Sequence, residues 1–297
     1  MKNKKFGELL IIVAGCLWGT CGFFVRNLDS SGLSTMKIVL ARELFTMLIL
    51  AVVILVKDYK LFKVRLRDLP YFAMAGIFSI VMFNYCYYKT ISLSTLSIAA
   101  VLLYTAPFFV IIISTILFRE GLTVKKCAAC IIAFLGCGFV TGAFCSGQSI
   151  SGKCLVFGLL TGFGYSLYTI FGNILLKKGY DTLTVTFYVF AFAFLGCLPF
   201  VNIAESFTIL FSSVSTLGFA FGMGLVNTVL PFVFYTIGLQ SVESSKAPII
   251  TTIEPVTATV LGAVLYGEEL TVNGIIGIIL VIGSFVVLSV NFKRKNS

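Results

Sequence analysis

The chain has 297 residues and a mean hydropathy of +1.05, with 59% hydrophobic and only 11% charged residues. Soluble domains carry about 25% charged residues, so this composition cannot cover a water-facing globule and makes lipid the solvent. The complete absence of histidine excludes a His-ligated metal centre, a His proton relay and Ser/His/Asp catalysis, whereas the net charge of +10 needs its distribution examined before a partner is assigned.

Along the chain, apolar runs of roughly 18 to 24 residues recur, each long enough to cross a ~30 Å hydrocarbon core as a helix. They predict spans at 7–26, 34–56, 70–88, 94–118, 124–143, 154–176, 184–203, 214–237, 246–266 and 271–291. Membrane β-barrels would show ~10-residue alternating segments instead, and none is present. Lys37, Arg42 and Glu43 fall in the first half of the second run, which makes it the least apolar. No linker is long enough for a soluble domain. An even number of spans puts both termini on one side.

That side is the basic one. Lys2, Lys4, Lys5, Lys57, Lys60, Lys63, Arg65, Arg67, Arg119, Lys125, Lys126, Lys177, Lys178, Lys246, Lys293, Arg294 and Lys295 fall there, leaving Arg26, Lys37, Arg42, Lys89 and Lys153 opposite. Such a bias is the positive-inside pattern of a cytoplasmic face. The charge therefore orients the protein in an inner or plasma membrane, and no nucleic-acid partner is expected.

The lysines ahead of the first run resemble a signal peptide, and Val13-Ala14-Gly15-Cys16 resembles a lipoprotein cleavage box. The apolar stretch before Cys16 is short and holds Glu8, so the first run is read as a retained helix. Cys127-x-x-Cys130 has redox or zinc-like spacing but stands at the start of a membrane helix without a second cluster. It is read as packing. No Gly-x-x-x-x-Gly-Lys loop is present for ATP.

The two halves align without gaps at an offset of 148 residues. Tyr87, Ser97, Ala99, Pro107, Leu117, Glu120 and Leu122-Thr123-Val124 recur as Tyr235, Ser245, Ala247, Pro255, Leu265, Glu268 and Leu270-Thr271-Val272. At an offset of 145, Gly7, Leu10 and Gly19 match Gly152, Leu155 and Gly164. The repeat therefore divides the chain into residues 1–148 and 149–297. Five spans per copy is odd, so the second copy enters the membrane upside down. Inverted repeats of this kind underlie alternating access around a central site. The predicted fold is an all-α integral membrane protein of ten transmembrane helices, built as two inverted five-helix repeats around a central cavity.

Leu17-Trp18-Gly19 resembles the Trp-Gly signature of the drug/metabolite transporter superfamily, EamA type, and Arg42 occupies the place of that family's second-helix arginine. The twice-repeated Tyr…Pro…Glu-x-Leu-Thr pattern is similar to its core helices. The resemblance covers nearly the whole chain. It implies ten helices with cytoplasmic termini, a central cavity, and export of amino acids or other small metabolites.

Charged side chains at membrane depth are expensive and mark candidate sites. Glu254 lies about eight residues, or roughly 12 Å, inside the ninth span. It precedes Pro255, which removes a backbone donor and is expected to free the Thr251 carbonyl. A carboxylate there could bind a substrate ammonium, carry a proton, or serve structurally. Arg42 and Glu43, as helical neighbours, point about 100° apart and are not expected to neutralise each other. Arg42 could clamp a substrate carboxylate or bridge to another helix. Pro107 and Pro255 are candidate hinges, and Trp18, Asn84, Tyr87, Tyr104, Tyr165, Asn227 and Tyr235 are candidate cavity walls or interface and packing groups. Gly15/Gly19, Gly158/Gly162 and Gly218/Gly222 have the spacing that allows close helix contact within the monomer.

The reading is a secondary, non-ATP carrier of a small metabolite, an exporter of amino-acid-like or amphipathic compounds, and not an enzyme. The expected partners are that substrate, the bilayer and protons as a candidate coupling ion. No cofactor is expected, and oligomeric state stays open. A channel or scaffold component, and less so a lipid enzyme, are the alternatives.

Overall fold

A computed structural model describes residues 4–145 and 150–289. The expected repeat boundary at 148/149 lies outside the described residues, as do Lys2, Lys293, Arg294 and Lys295. All regular structure among the described residues is helical.

The first span is two helices, α1 (Lys4–Trp18) and α2 (Cys21–Asp29), and the second is α3 (Thr35–Lys57). The third runs through α4 (Leu69–Ala73), a π-helical stretch at Met74–Val81, and α5 (Met82–Leu93). A broken rod, α6 (Leu96–Leu103) and α7 (Ala106–Leu117), precedes α8 (Val124–Val140). The second half opens with α9 (Gly152–Lys177) and α10 (Thr182–Cys197), then the short α11 (Ile203–Leu210), which no apolar run announced. It continues through α12 (Val214–Gly222), a second π-helical stretch at Met223–Val229, and α13 (Leu230–Gly238). The last rods are α14 (Ala247–Ile250) with α15 (Ile253–Tyr266), and α16 (Val272–Ser289).

Eight of these stretches among the described residues are long and apolar enough to cross a membrane. The expected spans at 124–143 and 271–291 fall on α8, with 17 residues, and α16, with 18. With 17 residues α8 is just short of a full crossing length, and α16 contributes a shorter apolar helix. These two helices pack along each other. A Cβ added at Gly277 would lie 2.6 Å from the Gly136 carbonyl oxygen, so the two backbones run in near contact.

The other main contacts also join the halves. Helix α1 packs on α13 and α15, α9 packs on α5 and α7, and α3 packs on α10. Several irregularities occur twice, although the α1–α2 break has no counterpart in the continuous α9. The π-helical stretches start at Met74 and Met223, and rods break at Tyr104–Thr105 and at Thr251–Thr252. Left-handed residues end α7 and α15 at Arg119 (φ 55°) and Gly267 (φ 67°). In both places the next amide, of Glu120 or Glu268, closes back on the helix at 3.3 Å from Ser114 O or Gly262 O.

Glycine spacing does its expected work at two of three pairs. Gly15 and Gly19 seat against the α14–α15 break, and Gly158 and Gly162 against Leu102 and Thr105 at the α6–α7 break. Gly222 meets Phe24, but nothing lies near Gly218, so that expectation fails on one side.

Cross-chain contacts sort the loops into two faces. Lys178 and Tyr180 meet Asp68, and Glu120 meets Ser244, on the face where most lysines and arginines lie. Arg26 meets Glu268, and Lys37 meets Glu205, on the other.

Candidate functional site

Helix α15 begins immediately after the break at Thr251–Thr252, and Glu254 stands in its first turn. A carboxylate is favoured there by the aligned peptide dipoles. The threonines supply local caps: Thr251 Oγ1 donates to the Pro248 carbonyl at 3.0 Å and Thr252 Oγ1 to the Ile249 carbonyl at 2.7 Å. The Thr251 carbonyl expected to be freed by Pro255 is not free. The Glu254 N–H takes it at 3.0 Å, because the chain tightens by one residue at the break.

The Glu254 carboxylate itself has no hydrogen bond or ion pair among the described residues. It remains partly accessible, although groups from five segments surround it. Within its electrostatic reach lie Cys21 on α2, Tyr87 on α5, Tyr104 at the α6–α7 break, Cys137 on α8 and Tyr165 on α9. A charge so placed stands among packed helices rather than on the lipid-facing surface.

Aromatic rings cluster beside it. Trp18 makes edge contacts with Tyr165 (6.2 Å between ring centroids) and Phe232 (5.0 Å), and lies 5.5 Å from Tyr235. Phe83 stacks on Tyr87 and meets Tyr165 edge-on. Trp18 is placed by the α1–α2 break. There Gly19 lets the chain pass so near α15 that a Cβ would sit 2.8 Å from the Glu254 carbonyl oxygen. Asn227, in the π-helical stretch, holds the same break by donating to the Leu17 and Trp18 carbonyls at 3.0 and 3.2 Å.

Not every expected wall residue turns toward Glu254. The Tyr235 hydroxyl is buried against Thr169 at 2.7 Å. Asn84 donates to the Ile80 carbonyl of its own helix. Pro107 sits in the first turn of α7 and Pro255 in the first turn of α15, just after each break. There their missing N–H groups cost little.

Arg42 and Glu43 overturn one expectation. The two side chains are long enough to turn toward each other despite their different headings, and Arg42 Nε and Nη2 both donate to Glu43 Oε1, at 3.2 and 2.6 Å. Glu43 is fully buried, and its second oxygen, Oε2, has no partner. Arg42 keeps slight access and shares Cys21 with Glu254 as an electrostatic neighbour.

Cys21, Phe83, Cys137 and Phe232 were missed by sequence reasoning. Each carries an unremarkable side chain that tertiary packing alone brings to Glu254 or Trp18. The α1–α2 break was not expected, the first run being read as one helix.

Eight helices among the described residues, each long and apolar enough to cross a membrane, define a multi-pass membrane protein. A profile of the EamA-like transporter family matches residues 5–142 and again residues 152–290, and the chain belongs to that family. An uncharacterized transporter of Archaeoglobus fulgidus is 28% identical over 279 residues, covering 92% of each chain. The uncharacterized inner membrane transporter YicL of Salmonella typhimurium is 26% identical over 302 residues, covering 99% of each. One crystal structure superposes with a TM-score of 0.78 over 97% of each chain at 17% identity, which establishes a shared fold. The chain is thus a multi-pass membrane transporter rather than an enzyme.

Proposed function

We propose that this transporter is a secondary carrier that exports a small amino-acid-like or amphipathic metabolite by alternating access. Residues 1–148 and 149–297 are its two inverted five-helix halves, with α8 and α16 as their fifth members. Support comes from the doubled family match and from the doubled π-helical stretches, breaks and left-handed caps. The face carrying most lysines and arginines is the cytoplasmic face of an inner or plasma membrane, with both termini on it.

The observation that carries the reading is the unpartnered Glu254 carboxylate at a helix break, walled by Trp18, Tyr87, Tyr104 and Tyr165. A desolvated anion with no internal partner is a costly arrangement, and it is relieved when a substrate ammonium or a proton arrives. Arg42 offers the complementary charge: a substrate carboxylate would compete with Glu43 for its guanidinium. Tyr235, Asn84 and Asn227 serve the site from behind, by packing or holding backbone. Protons are the coupling ion, taken up and released at Glu254.

In proteoliposomes loaded with substrate, Glu254→Gln should abolish flux driven by a pH gradient while leaving substrate-induced thermal stabilisation in place. Unchanged pH-driven flux in that variant would sink the assignment.

A further inference from the structure

Glu120 and Glu268 are repeat mates, each held one residue beyond a left-handed turn, yet they do different things. Glu120 reaches across to the loop before α14. Its Oε1 accepts from the Ser244 N–H at 2.8 Å, and its Oε2 accepts from the Ser245 N–H at 3.0 Å and the Ser245 hydroxyl at 2.5 Å. The contact is sealed by neighbours. Asn173 of α9 donates to the Ser244 hydroxyl. Lys126 bonds the Gly121 carbonyl at 2.9 Å and pairs with Glu243 at 2.6 Å, with Glu120 at 3.9 Å. Ser244, Ser245 and Lys126 are all buried, and Glu120 is 12% exposed.

On the opposite face the matching partners exist but are not engaged. The mates of Ser244 and Ser245 are Leu96 and Ser97, whose N–H groups have no acceptor among the described residues. Glu268 instead pairs with Arg26 at 2.6 Å, with the two side chains 50% and 55% exposed. Arg26 also lies over the Tyr266 ring. One carboxylate is therefore locked into buried amides, and its mate rests in a surface ion pair of the kind worth little.

We infer that Glu120 and Glu268 form a reciprocal latch, and that this conformation is the one closed on the basic face. In the opposite conformation Glu268 leaves Arg26 for the Leu96 and Ser97 amides, and Glu120 releases Ser244 and Ser245. Both latches rest on the same contact of a carboxylate with two backbone amides, so each state is held by a bond of the same kind, although Ser244 and Lys126 on the Glu120 side are matched by Leu96 and Gly274 on the other. The inference rests on the alternating-access reading above and adds to it the groups that hold each gate.

Amide hydrogen exchange of the full chain in lipid nanodiscs tests it, since the latch acts on named amides. In Glu120→Gln, exchange at Ser244 and Ser245 should speed up about tenfold or more, as expected for losing charge-assisted bonds. In the same variant, Leu96 and Ser97 should become protected severalfold. Glu268→Gln should do the reverse, protecting Ser244–Ser245 further and leaving Leu96–Ser97 unprotected. Ser245→Ala, a milder change, should move both segments in the same direction as Glu120→Gln. If exchange changes only beside each substituted residue, with no opposite response across the membrane, the latch is overturned. Saturable counterflow of a panel of radiolabelled amino acids in wild-type vesicles separates the two levels. Counterflow without the reciprocal response removes the latch alone, and no counterflow removes the carrier reading beneath it.

Discussion

Two positions show how narrow the tolerances around the site are. A methyl group at Gly19 would come within 2.8 Å of the Glu254 carbonyl oxygen and 2.6 Å of Thr257 Cβ. Backbone cannot retreat from that contact as a flexible side chain would. Gly19→Ala should therefore cost about 1–3 kcal/mol, the usual penalty for overpacking, seen as a lower unfolding temperature in detergent together with reduced transport. The Arg42–Glu43 pair makes a different prediction. Removing one member leaves an uncompensated charge at membrane depth, which costs about 3–5 kcal/mol, so Glu43→Leu alone should fold poorly. The double change Arg42→Met with Glu43→Leu removes both charges and should recover most of the stability. If Arg42 receives the substrate carboxylate, that double variant will be stable and will no longer show substrate-induced thermal stabilisation; full stabilisation would make the pair purely structural.

At the scale of elements, hydropathy located the rods but not their interruptions. The first span is continuous by composition, yet α1 stops at Trp18 because Gly19 must press against α15 and because Asn227 takes the Leu17 and Trp18 carbonyls. The breaks near Pro107 and Pro255 were foreshadowed by proline, although the chain solves the lost bond itself at Thr251 by tightening one turn. The π-helical stretches left no sequence trace, since an extra residue per turn changes no side chain. Where loops meet, electrostatics becomes testable. Burial pushes the Glu243 carboxyl up, but hydrogen bonds from Lys126 and Lys246 outweigh it and hold the group below its usual value of 4.5. A carboxyl lowered by folding stabilises the protein above its unfolded value, and that contribution fades as pH falls through the lowered one. The unfolding temperatures of wild type and Glu243→Gln should thus differ at neutral pH and converge as pH drops below about 4.

At the scale of the molecule, what the sequence determined by itself is what lipid and repetition impose locally. Eleven per cent charge forces a membrane protein, apolar run length places the rods, and the 148-residue offset pairs Tyr87 with Tyr235 and Glu120 with Glu268. Even Glu254 was visible, because a carboxylate beside proline inside an apolar run violates the cost rules of the bilayer. The tertiary structure alone decided which charges find partners. Arg42 turns to its own neighbour, Glu254 stays unpaired among rings from other helices, and Glu120 engages buried amides while its twin pairs with Arg26 at the surface. The reason is physical. Hydropathy and periodicity are properties of a segment in its solvent, so they can be read in order along the chain. Contacts between residues more than a hundred positions apart depend on how the rods pack, so two matched sequences can be held in unlike contacts.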